Sequence, residues 1–221
     1  MILPEAVIFD MDGLLVDTET PDFEAWRELH EAHGLELSLP DYCYNAGLYG
    51  SWEVMYEAVA KVSGQAVDAL HAARLPRYMA LVEERLRPSV ELVGLLDDLA
   101  DAGVRRGIAS SSDSDWVAYL VDGLGLRERF QAIATGHDVA HRKPAPDVYL
   151  LAAERLGVNP VHCVALEDSA HGLQAAKAAG MRAIAIPNAV SRHQDLSLAD
   201  ARVEHFGDVT LELLARLPSG G

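Results

Sequence analysis

Two carboxylates one residue apart, Asp10 and Asp12, end the apolar run Ala6-Val-Ile-Phe9 and are followed at once by Gly13. Such a break places both acids at the carboxyl edge of a buried strand, where chain leaving the sheet can bring both side chains towards one crevice. Crowded carboxylates repel, and burying either is costly without a cation or hydrogen-bond donors. A metal is the expected compensation. Alone, Asp12-Gly13 is also what an ordinary turn carries, so the chemistry rests on three later segments.

In the first, Val104-Arg-Arg-Gly-Ile-Ala109, a short strand runs into Ser110, Ser111 and Ser112, and a helix start follows with Ser112 or Asp113 as N-cap. Hydroxyls and free N–H groups at a strand-to-helix junction suit an oxyanion such as phosphate, although capping alone explains one serine. The second segment is His141-Arg-Lys143-Pro144-Ala-Pro146, before a helix closed by Gly157. The chain has three lysines, Lys61, Lys143 and Lys177. At this position a lysine supplies a compact point charge among carboxylates and phosphate. In the third segment the apolar run Val161–Leu166 ends in Glu167 and Asp168, before an alanine-rich helix closed by Gly180. Acids there also serve as caps. If the two acid-tipped strands are neighbours, however, four carboxylates share one sheet edge. One divalent cation and Lys143 then leave the site one charge short of neutral. Mg²⁺ fits so oxygen-rich a ligand set.

The elements that must position these residues follow from periodicity. After Gly103, strand and helix patterns alternate over 104–109, 113–123, 130–135, 146–157, 161–166, 169–179 and 182–186. Alternation of this kind predicts an α/β fold with a parallel sheet, right-handed crossovers and ligands at the carboxyl edge. Between Thr18 and Ser89 the patterns are helical, over 21–33, 51–62 and 65–87, the last carrying Pro76 as a break or kink. A helical block thus interrupts the sheet after its first strand.

These segments, in this order, resemble the four motifs of the haloacid dehalogenase superfamily, in particular its capped phosphatases and sugar phosphomutases of the β-phosphoglucomutase type. The resemblance runs from Val7 to about Pro187. It rests most on Asp10-x-Asp12-Gly13-x-x-x-Asp17-Thr18 and on Glu167-Asp168-Ser169-x-x-Gly172-x-x-Ala175-Ala176-x-x-Ala179-Gly180-Met181. It implies a Rossmann-like parallel sheet core with helices on both faces, residues 1–16 and 88–221, and an inserted all-helical cap domain, residues 17–87. Asp10 is then the nucleophile and Asp12 the general acid and base, its backbone carbonyl also on the metal. Ser110 and Lys143 hold the transferring phosphoryl group, with Met11 and Ser111 beside them. Asp168 is a direct metal ligand and Glu167 a direct or indirect one, giving a Mg²⁺ site of Asp10, Asp12, Glu167 and Asp168. The implied reaction is hydrolysis of a small-metabolite phosphomonoester through an aspartyl-phosphate.

Substrate choice falls to the helical block, and there the sequence departs from the mutase. The resemblance predicts a histidine four residues beyond the first-motif threonine and an arginine that grips a distal phosphate. Asp22 occupies the first position, and the segment Leu48 to Glu53 holds no arginine. Hydrolysis, rather than mutase chemistry, is the expectation. Tyr42, Tyr44, Tyr49, Trp52 and Tyr56 are five of fourteen aromatics. They serve either helix packing or a wall for the leaving group. Asp22, Tyr49, Trp52 and Glu53 are the specificity candidates.

At 221 residues and 50% hydrophobic content the chain can bury a substantial core. A net charge of -16 argues against nucleic acid and other polyanions, since no basic stripe exists to displace counterions. Cys43 and Cys163 are too few and too far apart for a disulfide framework. No leader pattern and no run of about 18 apolar residues occurs. The expectation is a cytoplasmic monomer or weak dimer acting on a small phosphorylated metabolite, without a membrane. Asp12 argues against dehalogenase and phosphonate-cleaving chemistry within the superfamily. The inserted block argues against a phospho-accepting receiver or binding module outside it.

Overall fold

The computed structural model describes residues 2–46 and 52–217. In chain order its regular elements are β1 (Ala6–Phe9), α1 (Glu19–Glu31), α2 (Leu39–Ala46), α3 (Trp52–Ser63), α4 (Val67–Arg85), α5 (Val90–Asp101), β2 (Arg105–Ala109), α6 (Ser114–Gly123), β3 (Ala132–Ala134), α7 (Asp147–Leu156), β4 (Cys163–Glu167), α8 (Ala170–Ala178), β5 (Arg182–Ala185), β6 (Ala201–Arg202) and α9 (Leu211–Arg216). The chain divides into two compact units, residues 1–16 with 86–221, and residues 17–85.

The first unit is built on one parallel sheet in the order β3-β2-β1-β4-β5-β6. A parallel strand covered on both faces needs apolar side chains at every position, and β1, β4 and β5 are buried throughout. Ala6 and Ile8 pack with the alanine-rich faces of α7 and α8, through Ala152, Ala153, Ala175 and Ala176. Phe9, facing the other way, meets Phe130 edge-on at 5.6 Å and Phe206 at 6.5 Å. Register decides the chemistry. Phe9 lies level with Ile108 of β2 and Leu166 of β4, so Asp10, Ser110, Glu167 and Asp168 all emerge at one sheet edge, two acid-tipped strands side by side.

Local signals set the junctions. Ser89 caps α5 by accepting the Leu92 N–H at 3.1 Å, and Ser169 caps α8 through the Gly172 N–H at 3.1 Å. Gly157 ends α7 in the left-handed conformation, φ +67°. Asp113 stands at the N-cap of α6, but its carboxylate pairs with Arg142 at 2.5 Å instead of the helix N–H groups.

Among its described residues the second unit is all-helical. Helix α4 runs unbroken from Val67 to Arg85 through Pro76, so the expected break is absent. Its arginines Arg74, Arg77 and Arg85 pair with Asp22, Glu28 and Glu24 of α1, and these links along the helix offset the one backbone bond a proline removes. Trp26 is fully buried, with Trp52 stacked on it at 5.9 Å and 4° and Tyr56 at 4.2 Å. Tyr42 is also fully buried. Packing accounts for Trp26, Tyr42 and Tyr56, whereas Trp52 keeps part of its ring exposed. Among the described residues no helix is long and apolar enough to cross a membrane.

Candidate active site

After β1 the chain folds back on itself: Leu15 and Val16 donate to the Met11 carbonyl at 3.0 and 3.3 Å, and Gly13 to Val16 at 2.8 Å. Gly13 has φ +78°, and a side chain there would meet Asp168 Oδ2 at 2.7 Å. Only glycine lets this turn lie against the acid-tipped end of β4.

Asp10, Glu167 and Asp168 are buried and each offers an oxygen within 4.8 Å of the others. Lys143, also buried, bonds Asp10 and reaches Glu167 Oε1 at 2.6 Å. Its Nζ lies 4.8 Å from the centre of the Tyr149 ring. The peptide bond between Lys143 and Pro144 is cis. Burial and then the charge of Glu167 push the Asp10 carboxyl up to about 7, against the pull of Lys143. Burial would neutralise Lys143, but Asp10 and Glu167 outweigh it and hold the ammonium above its ordinary value. Three carboxylates and one ammonium leave two negative charges, which one divalent cation balances. The donors are all oxygen, the set a hard cation takes.

Tyr149 and Asn188, outside the motifs, and Ser169, within the last of them, orient these acids. Tyr149 donates to Glu167 Oε1 at 2.7 Å, and Ser169 Oγ to Oε2 at 3.2 Å. The Asn188 amide donates to Asp168 Oδ2 at 2.7 Å and to the Gly13 carbonyl at 3.0 Å, tying the first acid loop to the last. Its own oxygen accepts the N–H groups of Val190 and Ser191.

Asp12 stands apart from the three-acid cluster. Its carboxylate accepts from Ser112 Oγ at 2.7 Å, the Trp116 indole at 2.8 Å and, more distantly, Ser110 Oγ at 3.4 Å. Ser110 is buried and accepts the Ser112 N–H at 3.0 Å. Ser111 accepts the Lys143 N–H at 3.2 Å, fastening one motif loop to another. Met11 is buried.

The specificity candidates lie in the helical unit. Asp22 is taken by Arg74 at 2.6 Å and Tyr42 at 2.9 Å, and the guanidinium sits 4.3 Å from the Trp26 ring centre. An arginine therefore does stand beside Asp22. It comes from α4, far from the segment where the resemblance predicted one. Trp52 is partly exposed and Glu53 exposed. Tyr49 lies outside the described residues.

The family model of haloacid dehalogenase-like hydrolases matches residues 4–180. The fructose-1-phosphate phosphatase YqaB of Escherichia coli (strain K12) is 38% identical over 182 residues, 80% of this chain and 94% of that protein. Hexitol phosphatase B of the same strain is 35% identical over 214 residues, 93% of this chain and 94% of its own length. Among solved structures, a mutant of CbbY from Rhodobacter sphaeroides in complex with xylulose-(1,5)bisphosphate superposes with a TM-score of 0.72 at 31% identity. It covers 93% of this chain and 96% of that one.

Proposed function

The chain belongs to the haloacid dehalogenase-like hydrolases and is a phosphoric monoester phosphatase of that family; we propose that its substrates are small sugar or polyol phosphates and its metal is Mg²⁺. The substrate class is supported by the two sugar-phosphate and hexitol phosphatases it resembles along most of their length. The metal is supported by the buried all-oxygen set of Asp10, Glu167 and Asp168. When bound, the cation draws in the phosphate dianion and offsets negative charge that develops on the transferring group.

The observation that carries the mechanism is the contact of Lys143 with both Asp10, just after β1, and Glu167, at the end of β4. An Asp10 oxygen attacks phosphorus, the bond to the leaving oxygen breaks, and the Asp12 proton passes to that oxygen. Water then attacks the aspartyl-phosphate and gives its proton to Asp12; the bond to Asp10 breaks and inorganic phosphate leaves. Ser110 and Lys143 hold phosphoryl oxygens through both steps. Residues 17–87 act as the cap that selects the leaving group. The mutase alternative gains nothing from Arg74, whose charge is already matched by Asp22.

A panel of metabolite phosphates, assayed with Mg²⁺ and with EDTA, tests this reading. Phosphate release is expected from sugar or polyol monoesters with Mg²⁺ only, and Asp10→Asn is expected to abolish it while keeping the fold. Full turnover in chelated enzyme refutes the metal assignment. Efficient conversion of β-glucose 1-phosphate to glucose 6-phosphate with a glucose 1,6-bisphosphate primer refutes the hydrolase assignment.

A further inference from the structure

Asp12 is held on both oxygens by side chains that the two chemical steps do not use. The Trp116 indole N–H donates to Oδ1 at 2.8 Å and the Ser112 hydroxyl to Oδ2 at 2.7 Å. We propose that Trp116 and Ser112 are positioning residues that fix the Asp12 carboxylate at the orientation from which it exchanges a proton with the leaving oxygen. The inference rests on the acid and base role given to Asp12 above.

An aspartate swings about two side-chain torsions, and one hydrogen bond leaves it free to turn. Two donors on different oxygens, one from the loop after β2 and one from the first turn of α6, remove that freedom. Each donor is itself held. The Ser112 carbonyl accepts the Gly136 N–H at 2.9 Å, and any side chain at Gly136 would come within 2.1 Å of the Ser111 carbonyl oxygen. The loop can therefore approach only a glycine. The indole stacks on Tyr119, one helical turn further on, with ring centres 5.7 Å apart at 23°. An indole nitrogen donates and never accepts, so it can serve Asp12 as a fixed pointer and not as a proton carrier. Proton transfer needs the acid within hydrogen-bond reach of the leaving oxygen, and a displacement of about 1 Å costs up to roughly 10²-fold.

A support of this kind differs from ordinary structural bonding in which substrates notice its loss. An aryl phosphate with an acidic phenol departs without a proton; an alkyl phosphate leaves a strongly basic oxygen and needs one. The test is rapid-quench measurement of enzyme phosphorylation in the intact Mg²⁺-loaded protein, with one ester of each kind. Trp116→Phe keeps the ring and its stacking and removes only the N–H. The alkyl-to-aryl rate ratio is expected to fall about 10- to 100-fold, with both KM values within about twofold of wild type. Ser112→Ala, should Trp116→Phe fail to fold, is expected to lower the same ratio. An unchanged ratio overturns the proposal, whether or not both rates drop together. Asp12→Asn in parallel separates the two levels. A collapsed ratio there beside an unchanged one in Trp116→Phe refutes the positioning alone, and an unchanged ratio in Asp12→Asn refutes the acid and base role itself.

Discussion

Glu167 is fully buried and accepts hydrogen bonds from Lys143, Tyr149 and Ser169. The space around it is set by a residue that bonds to none of its oxygens: a Cβ on Gly172 would fall 1.9 Å from the Glu167 carboxyl carbon. Gly172→Ala must therefore push the carboxylate out of the three-acid cluster, with an expected 10- to 100-fold loss of Mg²⁺ affinity, read from the Mg²⁺ dependence of turnover. Asn188→Ala should weaken the metal by a similar 10- to 100-fold factor, since it removes one of the groups that orient Asp168. An unaltered Mg²⁺ dependence in both would place the cation elsewhere. The acids and the lysine were legible because each closes a strand or precedes a helix, a junction that local pattern reveals. Tyr149, Asn188, Ser112 and Trp116 were not. Asn188 meets Gly13 across 175 positions of sequence, and neither residue type announces a partner at that distance. The one available signal was weak: Trp116 and Ser112 lie within six residues of Ser110.

Two links between neighbouring elements carry measurable weight. The pair Arg74–Asp22 joins α4 to α1 with both side chains largely buried. Removing one partner strands the other, so Arg74→Met should cost about 3 to 5 kcal/mol in urea unfolding followed by tryptophan fluorescence. The loop after β3 is held by Asp138, which accepts from the Thr135 N–H and hydroxyl and pairs with Arg155. Arg155, Thr135 and the backbone lower the Asp138 carboxyl to about 2. A depressed carboxylate adds stability that is present above its ordinary value and disappears as pH falls towards the folded one. The melting-temperature gap between wild type and Asp138→Asn should therefore be constant above about pH 5 and close as pH approaches about 2; a gap that widens in acid would contradict the assignment. Sequence periodicity gave α1, α3 and α4 because each is a long amphipathic run. It missed α2, eight residues beginning Leu39-Pro40, α9, six residues, and β6, two residues long, since none spans enough turns or alternations to form a pattern, and it also passed over the twelve-residue α5.

Over the whole molecule the net charge is -16, and the substrate is an anion as well. Long-range repulsion opposes each encounter, and salt screens it, with a Debye length near 30 Å at 0.01 M and about 8 Å at 0.15 M. The kcat/KM for a phosphate dianion at saturating Mg²⁺ should rise with ionic strength over that range, the reverse of an electrostatically steered enzyme. A steep fall would mean a local positive field that Lys143 and the cation do not account for. Sequence alternation foretold a parallel sheet, but it could not say which strands are neighbours, because periodicity describes a strand's faces and not its edges.

That strand order bears on how the chain is made. Ala6 at the start of the central strand pairs with Arg105 on one side and Cys163 on the other, so β1 leaves the ribosome well before either partner exists. At about 5 to 20 residues per second, its second edge stays unpaired on the order of ten seconds or more. Through that interval the helices of residues 17–85 can fold among themselves, while an apolar strand tipped by Asp10 waits exposed. Nascent chains halted before residue 163 should therefore be the species most in need of a chaperone.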